Sequence, residues 1–154
     1  MTALRAVAID LDGALGDTRP LWSEWLRSAG QVLGVDTSSL PEDRGRAAAE
    51  LDRLGAGNWR VLLGRFSEDR APVFLRRDAT ASSALRTLAG GGRHIGVFTD
   101  APEPLARVAL AHLGAGRRID VLETGEGARS RLLEKLGRDA LVVCTRHELE
   151  KAAA

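Results

Sequence analysis

An apolar run that ends on two carboxylates most limits what this chain can fold into. Val7-Ala8-Ile9 leads into Asp10-Leu11-Asp12-Gly13. The run is short, apolar and β-branched, which predicts a buried parallel strand over Thr2 to Ile9. Side chains alternate along a strand, so Asp10 and Asp12 start out on one face. Gly13 lets the backbone turn sharply. That leaves both acids at the carboxyl edge, where open α/β sheets bind ligands. Two acids are costly to bury there unless a cation or chemistry uses them. On spacing alone, a turn with two solvated aspartates accounts for the stretch as well as a catalytic pair does. A calcium loop fits less well, because Ala14 and Gly16 stand where its oxygen ligands should be.

The 154 residues suit one domain, or a core with a small insert. A chain of that length buries enough surface to hold a core without staples. The 22 basic and 21 acidic residues leave a net charge of +1, so neither nucleic acid nor an anionic membrane is expected as a partner. The single cysteine, Cys144, excludes an internal disulfide. At the end of an apolar run it reads as a buried, inert thiol in a reducing compartment. No segment approaches the roughly 18 consecutive apolar residues of a membrane span. The first residues do not look like a signal peptide. The expectation is a soluble cytoplasmic protein.

Helical spacing and its punctuation organise the rest. Asp17 and Thr18 are good cap residues and Pro20 suits a first turn. Leu21, Trp22, Trp25, Leu26, Ala29, Val32 and Leu33 then predict an amphipathic helix stopped by Gly34. Asp36 to Leu40 reads as a loop. Pro41-Glu42-Asp43 opens a second helix to about Leu54. Asn58 starts a third, with Trp59, Leu62, Leu63 and Phe66 on one stripe. Ser67 to Arg70 is polar, and Pro72 to Leu75 reads as extended. A helix follows from Thr80 to Leu88, then a strand from His94 to Thr99 and a helix from Pro102. A strand at Ile119–Leu122, a loop at Thr124–Gly127, a helix at Arg129–Leu136 and a strand at Ala140–Cys144 come next. A short helix ends the chain. Strand–helix alternation with near-continuous apolar strands predicts a parallel sheet.

With these pieces placed, Asp10-Leu11-Asp12-Gly13-Ala14-Leu15-Gly16-Asp17-Thr18 resembles the first motif of the haloacid dehalogenase (HAD) superfamily. That motif is Asp-x-Asp-Gly-Thr-Leu-x-Asp-Thr at the end of the first strand, and the chain departs from it at Ala14. Val97-Phe98-Thr99-Asp100 looks like the second motif, a strand ending in Ser or Thr, often followed by Asn. The helical stretch between them matches the family's cap. The resemblance implies an α/β HAD-like Rossmannoid fold, a parallel sheet of order 4-1-2-3. The core would be residues 1–16 and 79–154, and the cap residues 17–78. It also implies roles: Asp10 as nucleophile toward phosphorus, Asp12 as acid/base, and Thr99 as a phosphate ligand, with Gly13, Asp100 and Arg129 as further candidates around the phosphate. A carboxylate nucleophile splits one hard displacement into two easier ones. The implied cofactor is Mg2+, held by Asp10, Asp12 and Asp100. Asp100 reads equally well as an N-cap for the Pro102 helix. The acid at Asp12 points away from dehalogenation, since the family's dehalogenases lack one there.

The second half departs from the pattern. The third motif's Lys is absent near Glu123 and Thr124, where Arg129 or Arg131 could reach in. The fourth motif's metal-binding acid is replaced by Thr145, with Glu148 and Glu150 nearby on a helix that faces away. The formal charge of the site is unchanged, but a phosphate donor is lost, at about 100- to 1,000-fold in rate for each such donor. The leading expectation is a Mg2+-dependent phosphatase acting on a small phosphorylated molecule through an aspartyl-phosphate. The alternative is a catalytically inactive HAD-like protein that binds a phosphorylated metabolite or a protein partner. A third reading is a structural protein that forms a homodimer through its Trp-bearing cap. None of the three histidines has another metal ligand at useful spacing.

Overall fold

The apolar run forms strand β1, Val7–Asp10, with Val7, Ala8 and Ile9 fully buried. The structure, a computed structural model, describes residues 5–154. The expected strand segment Thr2–Leu4 lies outside the described residues. β1 pairs in parallel with β2 (Ile95–Thr99) and β4 (Leu141–Val143), and β2 pairs in parallel with β3 (Val121–Thr124). The order β3-β2-β1-β4 is the expected 4-1-2-3 read from the other edge. Register sets Asp10 opposite Phe98 and Thr99 opposite Thr124, so three strands end together at one carboxyl edge.

Both faces of the sheet are covered, as a parallel sheet of apolar strands requires. Helices α1 (Arg19–Leu33), α2 (Arg44–Arg53) and α3 (Trp59–Phe74) lie in sequence between β1 and β2. α4 (Ala79–Gly90) leads into β2, α5 (Glu103–His112) follows it, α6 (Ala128–Leu136) follows β3, and α7 (Arg146–Ala153) follows β4. Ala8 and Phe98 face α6 and pack on Ala128 and Leu132. A Cβ on Gly96 would meet Leu132 Cδ1 at 2.5 Å, so that glycine sets how closely α6 approaches β2. Val7, Ile9, Ile95 and Val97 face the other way. They join Leu85, Leu105 and Leu149 in one apolar cluster that continues to Trp22, Trp25, Leu51, Trp59 and Leu63. Ring centroids are 5.2 Å apart for Trp22–Trp25 and 5.9 Å for Trp25–Trp59, spacings typical of favourable aromatic pairs. These tryptophans are buried inside the molecule.

Three local expectations are corrected. α3 does not stop at Phe66 but runs through Phe74 with Pro72 inside it. Trp59, Leu63, Ser67 and Ala71 form a buried stripe at four-residue spacing, so small residues carry the inward face on while Glu68 and Asp69 meet solvent. β3 lies two residues later than expected, which extends it through Glu123 to Thr124, a residue expected to open a loop. Asp100 does not cap α5, which starts after Pro102; its carboxylate is used elsewhere. No helix among the described residues is long and apolar enough to cross a membrane.

Candidate active site

β1 stops at Asp10, and Leu11–Leu15 form a single tight turn. The Gly13 N–H donates to the Gly16 carbonyl at 2.7 Å, and the Gly16 N–H to that of Leu11 at 3.0 Å. Gly13 has φ +109°, and a Cβ there would lie 2.6 Å from the Cys144 carbonyl oxygen. Any other residue would be strained and would strike the end of β4. The turn brings Asp10 and Asp12 to one cavity of about 420 Å³, shared with Thr99, Asp100, Arg44 and Arg129. Gly13 lines a neighbouring cavity with Asp17, Arg76, Arg77 and Arg146, and its N–H is already used.

Asp12 is saturated. Its Oδ1 accepts from the Thr18 N–H and hydroxyl, both at 2.7 Å. Its Oδ2 accepts from the Thr99 hydroxyl at 2.9 Å and from Arg44 Nη2 at 2.5 Å. Thr18 was expected to cap α1. It stands at the cap position, but its buried hydroxyl turns to Asp12 and accepts from Arg44 Nη1 at 2.6 Å. Thr99 likewise gives its proton to Asp12 while accepting from the Ala101 N–H at 3.2 Å.

Arg44, the first residue of α2, is the residue that sequence reasoning missed. Its side chain is 4% exposed. Nε and Nη2 donate to Asp100 Oδ1 at 3.0 and 2.7 Å, and its backbone N–H donates to Asp100 Oδ2 at 3.0 Å. One guanidinium nitrogen therefore holds both Asp12 and Asp100. A signal for it exists in the chain. Arg44 and Arg46 put two cations in a helix's first turn, where the dipole favours acids, so carboxylates from elsewhere are needed.

Electrostatics separate the two motif acids. Burial pushes the Asp10 carboxyl from 3.8 to about 6, and the negative charge of Asp12 adds to the rise. Burial would raise Asp12 too. The Arg44 charge and the hydrogen bonds from Thr18 and Thr99 outweigh it and hold Asp12 below the ordinary carboxylate value. Among the described residues Asp10 accepts one hydrogen bond, from the Asp12 N–H to Oδ1 at 3.1 Å. Its second oxygen is left for a ligand.

The remaining candidates fall around this centre. Arg129 lines the cavity with its guanidinium 5.9 Å from the centre of the Phe98 ring. Arg131 turns to the backbone carbonyls of Thr124 and Glu126, and Glu123 pairs with Lys135 at 2.7 Å. Thr145 Oγ1 accepts from the Glu148 N–H at 3.1 Å, capping α7, and the Glu148 carboxylate accepts from the Cys144 N–H at 3.1 Å. Both side chains near the fourth-motif position thus serve the helix start. Cys144, expected to be buried, is only half-buried, and that partial burial raises its thiol above its ordinary value.

The donor set as arranged does not fit a magnesium ion. Magnesium takes oxygen ligands in octahedral geometry, but Asp12 and Asp100 are bridged by a guanidinium. No group of three acidic, His or Cys side chains suited to a metal occurs among the described residues.

No family model and no curated protein matches the chain. Solved structures do. CbbY from Rhodobacter sphaeroides in complex with phosphate aligns with TM-score 0.66 at 17% identity, over 91% of this chain and 77% of that one. A putative beta-phosphoglucomutase from Thermotoga maritima aligns with TM-score 0.56 at 21% identity, over 97% and 82%. A HAD-superfamily hydrolase of subfamily IA from Geobacter sulfurreducens aligns with TM-score 0.57 at 21% identity, over 98% and 86%. With the strand order and the placement of the helices after β1, these likenesses show that this chain has the HAD-like fold.

Proposed function

We propose that the protein is a hydrolase of small phosphate esters that works through an aspartyl-phosphate on Asp10. The observation that carries this reading is Asp10 itself. It stands at the carboxyl edge, faces the cavity with an unengaged oxygen, and is ionised above a pH of about 6. That oxygen attacks phosphorus, the phosphorus–ester oxygen bond breaks, and the alkoxide leaves. Water then attacks phosphorus and releases the Asp10 carboxylate and inorganic phosphate. Asp12, held ionised by Arg44, Thr18 and Thr99, accepts the water's proton in the second step, when a donor to its Oδ2 turns from it to the phosphoryl oxygens. It carries no proton for the leaving group at neutral pH, so esters whose alcohols leave as stable anions are the favoured substrates. Arg129 at the rim and Arg44 within supply positive charge to the phosphoryl oxygens. In this reading residues 17–78 act as a cap on a core of residues 1–16 and 79–154, supported by the reach of Arg44 from α2.

The purified chain is expected to hydrolyse aryl phosphates far faster than alkyl phosphates, and Asp10→Asn to abolish both. No turnover of aryl, acyl or alkyl phosphates across mildly acid to mildly alkaline pH, with or without Mg2+, would remove the enzyme claim. The saturation of Asp12 favours a second reading, a protein that binds a phosphorylated molecule without turning it over. Thermal stabilisation by phosphate esters without release of phosphate would select that reading.

A further inference from the structure

We propose that Arg44 is a resident cation that takes the place of a divalent metal, so that the Asp10–Asp12–Asp100 centre works or binds without one. This inference concerns what neutralises the carboxylates and stands whether or not phosphate esters are turned over.

Three acids converge on one cavity. Buried carboxylates need a counter-charge. The chain itself provides it, because Asp12 Oδ2 and Asp100 Oδ1 share Nη2 of Arg44 at 2.5 and 2.7 Å. A metal entering there would have to displace a guanidinium that makes hydrogen bonds to four residues counting Thr18 and Thr99, one of them also through its backbone N–H.

The placement of Arg44 is built into the fold and does not rest on one rotamer. Asp43 caps α2 by accepting from the Arg46 N–H at 2.9 Å. The next residue, Gly45, comes so close to the β3–α6 loop that a Cβ would lie 2.1 Å from the Glu126 nitrogen. Arg46 pairs with Glu126 at 3.2 Å. Main chain, glycine and ion pair together seat the start of α2 against the sheet edge with Arg44 aimed inward. On the far side, Thr145 and Glu148 are used in capping α7, and neither lines the cavity.

The test is metal binding to the whole chain in metal-free buffer. Calorimetry with Mg2+ and electron paramagnetic resonance with Mn2+ are expected to show no binding by the wild type at millimolar ion, and its Tm is expected not to move. Arg44→Gln removes the cation but keeps a hydrogen-bonding side chain. It is expected to melt lower without metal and to recover by about 8 °C at ~100 times the Kd for Mg2+. That gain is expected to disappear when Asp12→Asn is added. Should Arg44→Gln not fold by itself, refolding on addition of Mg2+ gives the same answer. Mg2+ binding by the wild type that Asp10→Asn abolishes would overturn the proposal, as would a folded Arg44→Gln that shows no response to either ion.

Discussion

Burial raises the Asp10 carboxyl to about 6 while its unfolded value stays near 3.8, and this difference has two readouts. The nucleophile is the ionised form, so hydrolysis is expected to climb as pH rises through about 6; a rate independent of pH from 4 to 7 would contradict the assignment. The same shift acts on stability. Between 3.8 and about 6 the folded chain binds more protons than the unfolded one, so Asp10 lowers stability as pH rises across that window. Below 3.8 the effect is absent. Asp10→Asn is therefore expected to raise Tm at neutral pH and to leave it nearly unchanged at the acid end, a comparison two sets of melts decide. Thr18 presents the opposite case. Its buried hydroxyl donates to Asp12 and accepts from Arg44. Thr18→Val keeps the shape but strands a partner on each side, at a cost of about 2 kcal/mol in urea unfolding.

At the scale of elements, α2 matters for where it begins. Its first turn carries Arg44, Gly45 and Arg46, and each contacts the sheet edge or the β3–α6 loop. Gly45→Ala would drive a methyl group into the Glu126 backbone, lift the helix start and loosen Arg44, with about 1–3 kcal/mol lost. Gly90, the last residue of α4, is the control. A Cβ there meets nothing within 4 Å and its backbone is not left-handed, so Gly90→Ala is expected to add about 0.5–1 kcal/mol. Chemical denaturation of the two variants is expected to give opposite signs. α3 shows how a local signal misleads: its polar stretch and Pro72 read as an end, yet the inward stripe continues through Ser67 and Ala71.

At the scale of the molecule, one apolar cluster runs from the tryptophans of α1 and α3 to the sheet. The helices between β1 and β2 therefore share their core with the strands, and one cooperative transition is expected. Tryptophan fluorescence, which reports Trp22, Trp25 and Trp59, is expected to coincide with far-ultraviolet circular dichroism during urea unfolding. An earlier fluorescence transition would show that the helical segment melts by itself. The residue order alone determined the parallel sheet and the placing of Asp10 and Thr99 at the ends of its strands. Those follow from apolar runs and chain punctuation, both local rules. It also carried several helix limits, from Gly34 to Asn58, because caps and stops are chemistry of neighbouring residues. The strand order was implied by the resemblance of the first motif to the HAD superfamily, and it agrees with right-handed crossovers. What the carboxylates hold was decided by tertiary structure. Arg44 is 32 residues from Asp12 and 56 from Asp100, and no periodicity relates them. Their meeting depends on how α2 seats against the edge, where a glycine admits close approach and a buried charge must find its opposite.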